Sequence, residues 1–204
     1  MKKVLRAFTL LEVVATLAVL SILAAATVPS VVAYLTRQNI EKTAAILTDL
    51  STSIAAFRVK IARYPFRISH LGSNILGTDT TSCSGIGPAT PTTTYTNLTA
   101  NKWGQTNGGP FNKRVIPTTG FPTPIGTIID TIYRTGNSNN AASSLPLIIR
   151  NVRFEDAEEL NAFIDGDADN GDRSNSAGLV QWSAPVNELV DVVYTAVATT
   201  TKVC

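Results

Sequence analysis

Four carboxylates crowd the run Asp165-Gly166-Asp167-Ala168-Asp169-Asn170-Gly171-Asp172. Acids at alternate positions before a turn can converge on one hard cation, which is how calcium loops gather oxygen ligands. Asp165, Asp167, Asp169 and Asp172 are therefore candidate metal ligands, and calcium is the ion they suit. The match to a helix–loop–helix calcium site is incomplete. Its glycine falls one place late, and Ser176 stands where a bidentate glutamate belongs. The same run also reads as an acidic turn between a helix and a strand. Cys83 and Cys204 are the two cysteines and His70 the sole histidine, so one chain has no Cys/His set for structural zinc. His70 lies in a turn-like stretch and reads as a solvated surface group. With no Gly-x-Ser-x-Gly, His-Glu-x-x-His or phosphate loop, the sequence points to no enzyme and requires no cofactor.

Glu12 is the other chemically distinctive group. It is the only charge from Phe8 to Leu35, in the run FTLLEVVATLAVLSILAAATVPSVVAYL. As a helix these residues would extend about 42 Å, enough to cross a hydrocarbon core of about 30 Å. Lys2, Lys3 and Arg6 precede the run and place the N-terminus on the cytoplasmic side. A carboxylate in hydrocarbon is costly and calls for a partner. No cation lies between Ala7 and Arg37, but an α-amine would sit about one helical turn from Glu12 if the chain were cut before Phe8. A secretory signal with a cleavage region at Ala24-Ala25-Ala26 and a mature start near Thr27 is the competing reading, and the acid within the apolar run argues against it. Pro29 should kink or locally melt the helix, since it lacks an N–H and clashes with the preceding turn.

The segment RA|FTLLEVVATLAVLSILAAATVPSVV resembles the N-terminal motif of the type IV pilin and type II secretion pseudopilin superfamily over about 30 residues. The likeness includes Phe8, Thr9 and Glu12 as first, second and fifth residues after the cut, and Pro29 as the twenty-second. One departure is Ala7, where the family usually has glycine. The resemblance implies that a membrane prepilin peptidase removes residues 1–7 at Ala7–Phe8, that Phe8 is methylated, and that the helices pack into a filament core. Partners would be identical or related pilin subunits and the inner-membrane assembly machinery. The chain would reside in the inner membrane before assembly, then in a cell-surface or periplasmic filament. Glu12 would pair with the Phe8 amine of a neighbouring subunit. Pilins often also staple their C-terminal region with a disulfide. Here Cys83–Cys204 would close a loop of about 120 residues, worth about 4 kcal/mol in the chain-entropy picture.

The remaining elements must carry these groups. Leu47, Leu50, Ile54, Phe57 and Ile61 are spaced 3, 4, 3 and 4, one apolar stripe of a helix over 36–63 that Tyr64-Pro65 ends. Joined to the preceding segment, it gives a helix on the order of 80 Å long. Residues 64–124 are rich in Ser, Thr, Gly, Asn and Pro and read as loops, with Asn97-Leu98-Thr99 either a glycan acceptor or part of an exposed loop. Strands are expected over Ile125–Tyr133, Leu145–Phe154, Gly178–Trp182 and Glu188–Val197, with a short helix over Glu155–Phe163. The expected architecture is α+β and pilin-like: a leader (1–7), an apolar helix (8–35), an amphipathic helix (36–63), a loop-rich region (64–124), and a small antiparallel sheet (125–204).

Net charge decides one partner class. The chain has 17 Lys and Arg against 15 Asp and Glu, and without Lys2, Lys3 and Arg6 the count is 14 against 15. A nucleic-acid partner is not indicated. Two non-filament readings remain open: a single-span membrane-anchored binding protein, and a secreted calcium-binding or adhesive domain.

Overall fold

The computed structural model describes residues 9–61, 64–73, 109–132, 135–136, 143–166 and 175–199. Helix α1 runs unbroken over Leu10–Ile61. Its residues up to Gln38 belong to one compact unit, and the chain from Asn39 onward forms a second.

The second unit is built on a six-stranded antiparallel sheet. β1 (Phe121–Thr123), β2 (Gly126–Ile128), β4 (Ser143–Arg153), β6 (Leu189–Thr199) and β5 (Val180–Trp182) lie in the order β1-β2-β4-β6-β5. β3 (Thr135–Gly136) also pairs with β4. Helix α2 (Phe154–Ile164) follows β4 directly. With α1, these elements give the α+β class that the hydrophobic pattern calls for.

On β6 burial alternates, whereas β4 is buried without a break from Leu145 to Ile149. Leu145, Leu147 and Ile149 on β4, with Val190, Val192 and Tyr194 on β6, form one core with the α1 stripe. In that stripe Leu47, Leu50, Ile54 and Phe57 are each 0 or 1 % exposed, and it extends back to Ile40 at 1 %. Each such side chain contributes about 1.5–3 kcal/mol by leaving water. β4 bulges between Ile149 and Val152, where Asn151 takes a positive φ of 58°, and the extra residue returns Val152 to the core face.

Three expected strands need correction, one of them, Gly178–Trp182, because it begins at Val180. Ile125–Tyr133 is not one strand. Thr123 and Gly126 close a tight turn, with the Thr123 hydroxyl bonded to both the N–H and the carbonyl of Gly126. A Cβ on Gly126 would stand 2.6 Å from the Arg150 carbonyl, so the close approach of β2 to β4 requires glycine. β6 begins at Leu189 because Asn187 and Glu188 form the hairpin turn before it, with φ of 54° and 60°. Val186 and Leu189 exchange both backbone hydrogen bonds around that pair. Two-residue hairpins of this kind favour glycine at the second position. Glu188→Gly should raise stability by about 1 kcal/mol, measured by urea titration of the detergent-solubilised chain.

His70 departs from its expected surface position. It is 7 % exposed, in a 3-10 turn over Ile68–Leu71 whose residues are all buried. The anchor is Asp130, itself 7 % exposed. Its carboxylate accepts from the Ser69 N–H at 2.8 Å and the Ser69 hydroxyl at 3.0 Å, with the Arg67 guanidinium 4.0 Å away. Asp130→Ala leaves both Ser69 donors buried without an acceptor, and the expected loss is about 3 kcal/mol. Asp130→Asn keeps one acceptor oxygen and should lose less in the same titration.

A second polar anchor secures the loop before β1. Asn112, 5 % exposed, donates to the Asp49 carboxylate and the Ser53 hydroxyl of α1, each at 3.0 Å, and accepts from the Arg114 N–H. At the other end of the sheet, Glu155 and Asp156 lie in the first turn of α2. Burial pushes the Asp156 carboxyl above the usual aspartate value, with Arg153 opposing and Glu155 reinforcing the shift. The folded chain therefore holds that proton more tightly than the unfolded one. The contribution of Asp156 to stability falls as pH rises from its unfolded value toward its raised folded value.

Candidate functional site

From Thr9 to Leu35 every residue is exposed. Large apolar side chains point outward all round the helix, from Leu10 at 84 % and Leu20 at 60 % to Tyr34 at 61 %. A helix apolar on every side belongs in hydrocarbon or among other helices. By length and composition α1 could cross a membrane, with an 18-residue window of mean hydropathy 2.2. Its hydroxyls do not disturb that character. Thr16, Ser21, Thr27, Ser30 and Thr36 each turn back onto a carbonyl three or four residues earlier, at 2.8–3.3 Å.

Glu12 occupies the third position of α1. Its N–H lies 3.2 Å from the Thr9 hydroxyl and 3.1 Å from the Thr9 carbonyl. Thr9 thus caps the helix, and Thr9-Leu10-Leu11-Glu12 has the pattern of a capping box. The first turn is where unpaired N–H groups and the helix dipole favour an anion. This is local compensation for the acid that a search for a cation alone misses, although the Thr-x-x-Glu spacing in the sequence is sufficient to find it. The Glu12 carboxylate has no ion-pair or hydrogen-bond partner among the described residues. In chemical terms, the segment offers one anion, held near a helix start, on an otherwise apolar surface.

Pro29 lies within α1, and the helix passes through it without interruption, so the expected local melting is absent from this conformation. With no N–H on Pro29, the Ala25 carbonyl loses its usual helical donor. Ala7 and Phe8, the residues of the implied cleavage, lie outside the described residues.

The acidic run is represented by Asp165 alone; Asp167, Asp169 and Asp172 lie outside the described residues. Asp165 closes α2, and its carboxylate accepts from the N–H groups of Leu179 and Val180 at 3.0–3.1 Å. Gly178 suits this position because its φ of 75° strains any L side chain, and a Cβ would also push on the Asp165 carboxylate. These bonds also explain why β5 starts at Val180 and not at Gly178. Asn175 adds a second tie, donating to Asn161 at 3.1 Å and to the Val180 carbonyl at 2.9 Å. Asp165 is therefore a structural clamp between α2 and β5. Among the described residues no three Asp, Glu, His or Cys side chains gather as a metal site. Cys83, Cys204 and Asn97 also lie outside the described residues.

Comparison with family models, curated proteins and solved structures finds no match to this chain.

Proposed function

We propose that this chain is a structural subunit of a filament of the type IV pilus or secretion pseudopilus class. A prepilin peptidase would cut between Ala7 and Phe8, and α1 would hold the subunit in the membrane before packing against the helices of neighbouring copies. The observation that carries this reading is a single carboxylate, Glu12, in the first turn of a helix apolar all round. Phe8 would supply the missing cation as a free α-amine, and the pair would set the register between subunits. Two buried opposite charges satisfy each other where one alone is costly. The head built on β1–β6 would form the outer surface.

Mass spectrometry of the mature N-terminus tests the proposal. A chain beginning at Phe8, carrying one added methyl group and recovered in sheared filaments, is the expected result. A chain still beginning at Met1 and confined to the membrane would instead identify a single-span anchored protein. A start near Thr27 would identify a secreted domain released by signal peptidase.

A further inference from the structure

We propose that the head carries two unlike, complementary surface features, and that the Lys113–Val115 loop of one copy docks on the Val186–Leu189 turn of the next. The proposal rests on the filament reading and adds to it a contact between heads.

Outside α1, Val115 at 89 % and Val186 at 72 % are the most exposed large apolar side chains among the described residues. Neither is at a frayed end. Val115 is held out between two buried neighbours, Ile116 at 4 % and the Asn112 anchor at 5 %, so little order has to be gained on binding. Val186 stands beside a turn fixed by two reciprocal backbone bonds and by the Phe154 N–H, which donates to the Glu188 carbonyl at 3.0 Å. It lines an open groove of about 310 Å³ with Ala184, Leu189 and Val190, while Asn151, Ser183 and Asp191 supply polar walls.

The charges around the two features are opposite. Lys113 and Arg114 immediately precede Val115, with Asp49 3.8 Å from the Arg114 guanidinium, two cations against one anion among the described residues. Among the described residues, Glu155, Asp156, Glu188 and Asp191 stand around the turn against Arg150 and Arg153, four anions against two cations. Seating Val115 in the groove would bring the net positive loop against the net negative rim.

Their positions favour propagation. The Arg114 guanidinium lies 6.0 Å over the ring of Phe121 in β1, at one edge of the sheet. The turn joins β5 to β6 at the opposite edge. β1 and β5 are four strand spacings apart, roughly 19 Å. When one copy's loop meets the next copy's turn, each copy keeps the other feature available. Such head-to-tail contacts extend into open helical assemblies unless the rotation closes a ring.

The test places a photo-crosslinking amino acid at Val115 of the full chain and maps the adducts by mass spectrometry. In filaments, adducts should fall within residues 184–191 of another copy. Lys113→Glu and Glu188→Lys should each lower filament yield about tenfold, and the double variant should restore it to within about twofold, the mark of direct coupling. Filaments in which Val115 crosslinks elsewhere, or in which the two charge reversals simply add, would overturn the contact while leaving the filament reading intact. If no filaments form, the same crosslink between copies in the membrane still supports the contact, and its absence there refutes it.

Discussion

Glu12→Ala is expected to leave the protein in the membrane at its normal level while reducing its recovery in sheared filaments by at least about tenfold. A factor of ten corresponds to about 1.4 kcal/mol, well within what a desolvated charge pair contributes when one partner is removed. The substitution makes α1 more apolar, so membrane retention should hold or improve. It removes the one charge in the run from Phe8 to Leu35, and on the proposed reading it would leave the Phe8 amine freed by cleavage with no counter-charge when helices pack. Glu12→Gln keeps the shape and the polar tip but not the charge. It should fail nearly as badly if pairing is the role, and should behave as wild type if the side chain only helps to start the helix. Thr9→Ala provides the converse comparison. It removes the cap at a cost of about 1 kcal/mol but keeps the charge, so assembly should fall less than in either Glu12 variant. Quantitative immunoblotting of membrane and sheared fractions checks all three.

Phe57→Ala should have the largest effect on stability, a loss of about 4 kcal/mol. Phe57 is fully buried in the α1 stripe and meets Phe111 edge-on, with ring centroids 5.1 Å apart. The cavity it would leave lies between the helix and the loop anchored by Asn112, so two elements lose their packing together. Domains of this size are stable by only about 5–15 kcal/mol, so the loss should appear as a large fall in the urea midpoint and a protease-sensitive head. Phe57→Leu retains most of the volume and should recover more than half of the loss. Insertion of residues 9–35 into a membrane draws on none of these contacts, so the Phe57 variants should still fractionate with membranes.

Much of the architecture is legible because hydrophobic periodicity is local. The 3-4-3-4 spacing from Leu47 to Ile61 declares its helix and, through Phe57, its buried face, and the β-formers Leu147, Ile149 and Val152 declare their strand. The misreadings occur where distant residues decide the outcome. His70 sits in a polar, turn-like sequence, and its burial depends on Asp130, whose carboxylate holds Ser69 across 61 positions. The bonds from the amides of Leu179 and Val180 to the Asp165 carboxylate, 14 and 15 residues apart, are likewise beyond the reach of any local pattern. Gly126 breaks a run of β-formers, and its necessity is visible only once β4 lies against it. At the candidate site the balance is reversed. Both Glu12 and its capping residue Thr9 are within one helical turn, so sequence spacing alone suffices to find them.

The inward-turned hydroxyls of Thr16, Ser21, Thr27, Ser30 and Thr36 bear on how such a segment could change surroundings. A donor already bonded to its own backbone makes no demand on what lies outside, whether acyl chains or another protein's flank. Apart from Glu12, the Tyr34 hydroxyl and the carbonyl that Pro29 orphans, the segment is chemically indifferent to the exchange of one oily environment for another. Extraction from the bilayer would then be nearly free of cost along most of its length, and the preference for one destination would fall to the single acidic side chain near its tip.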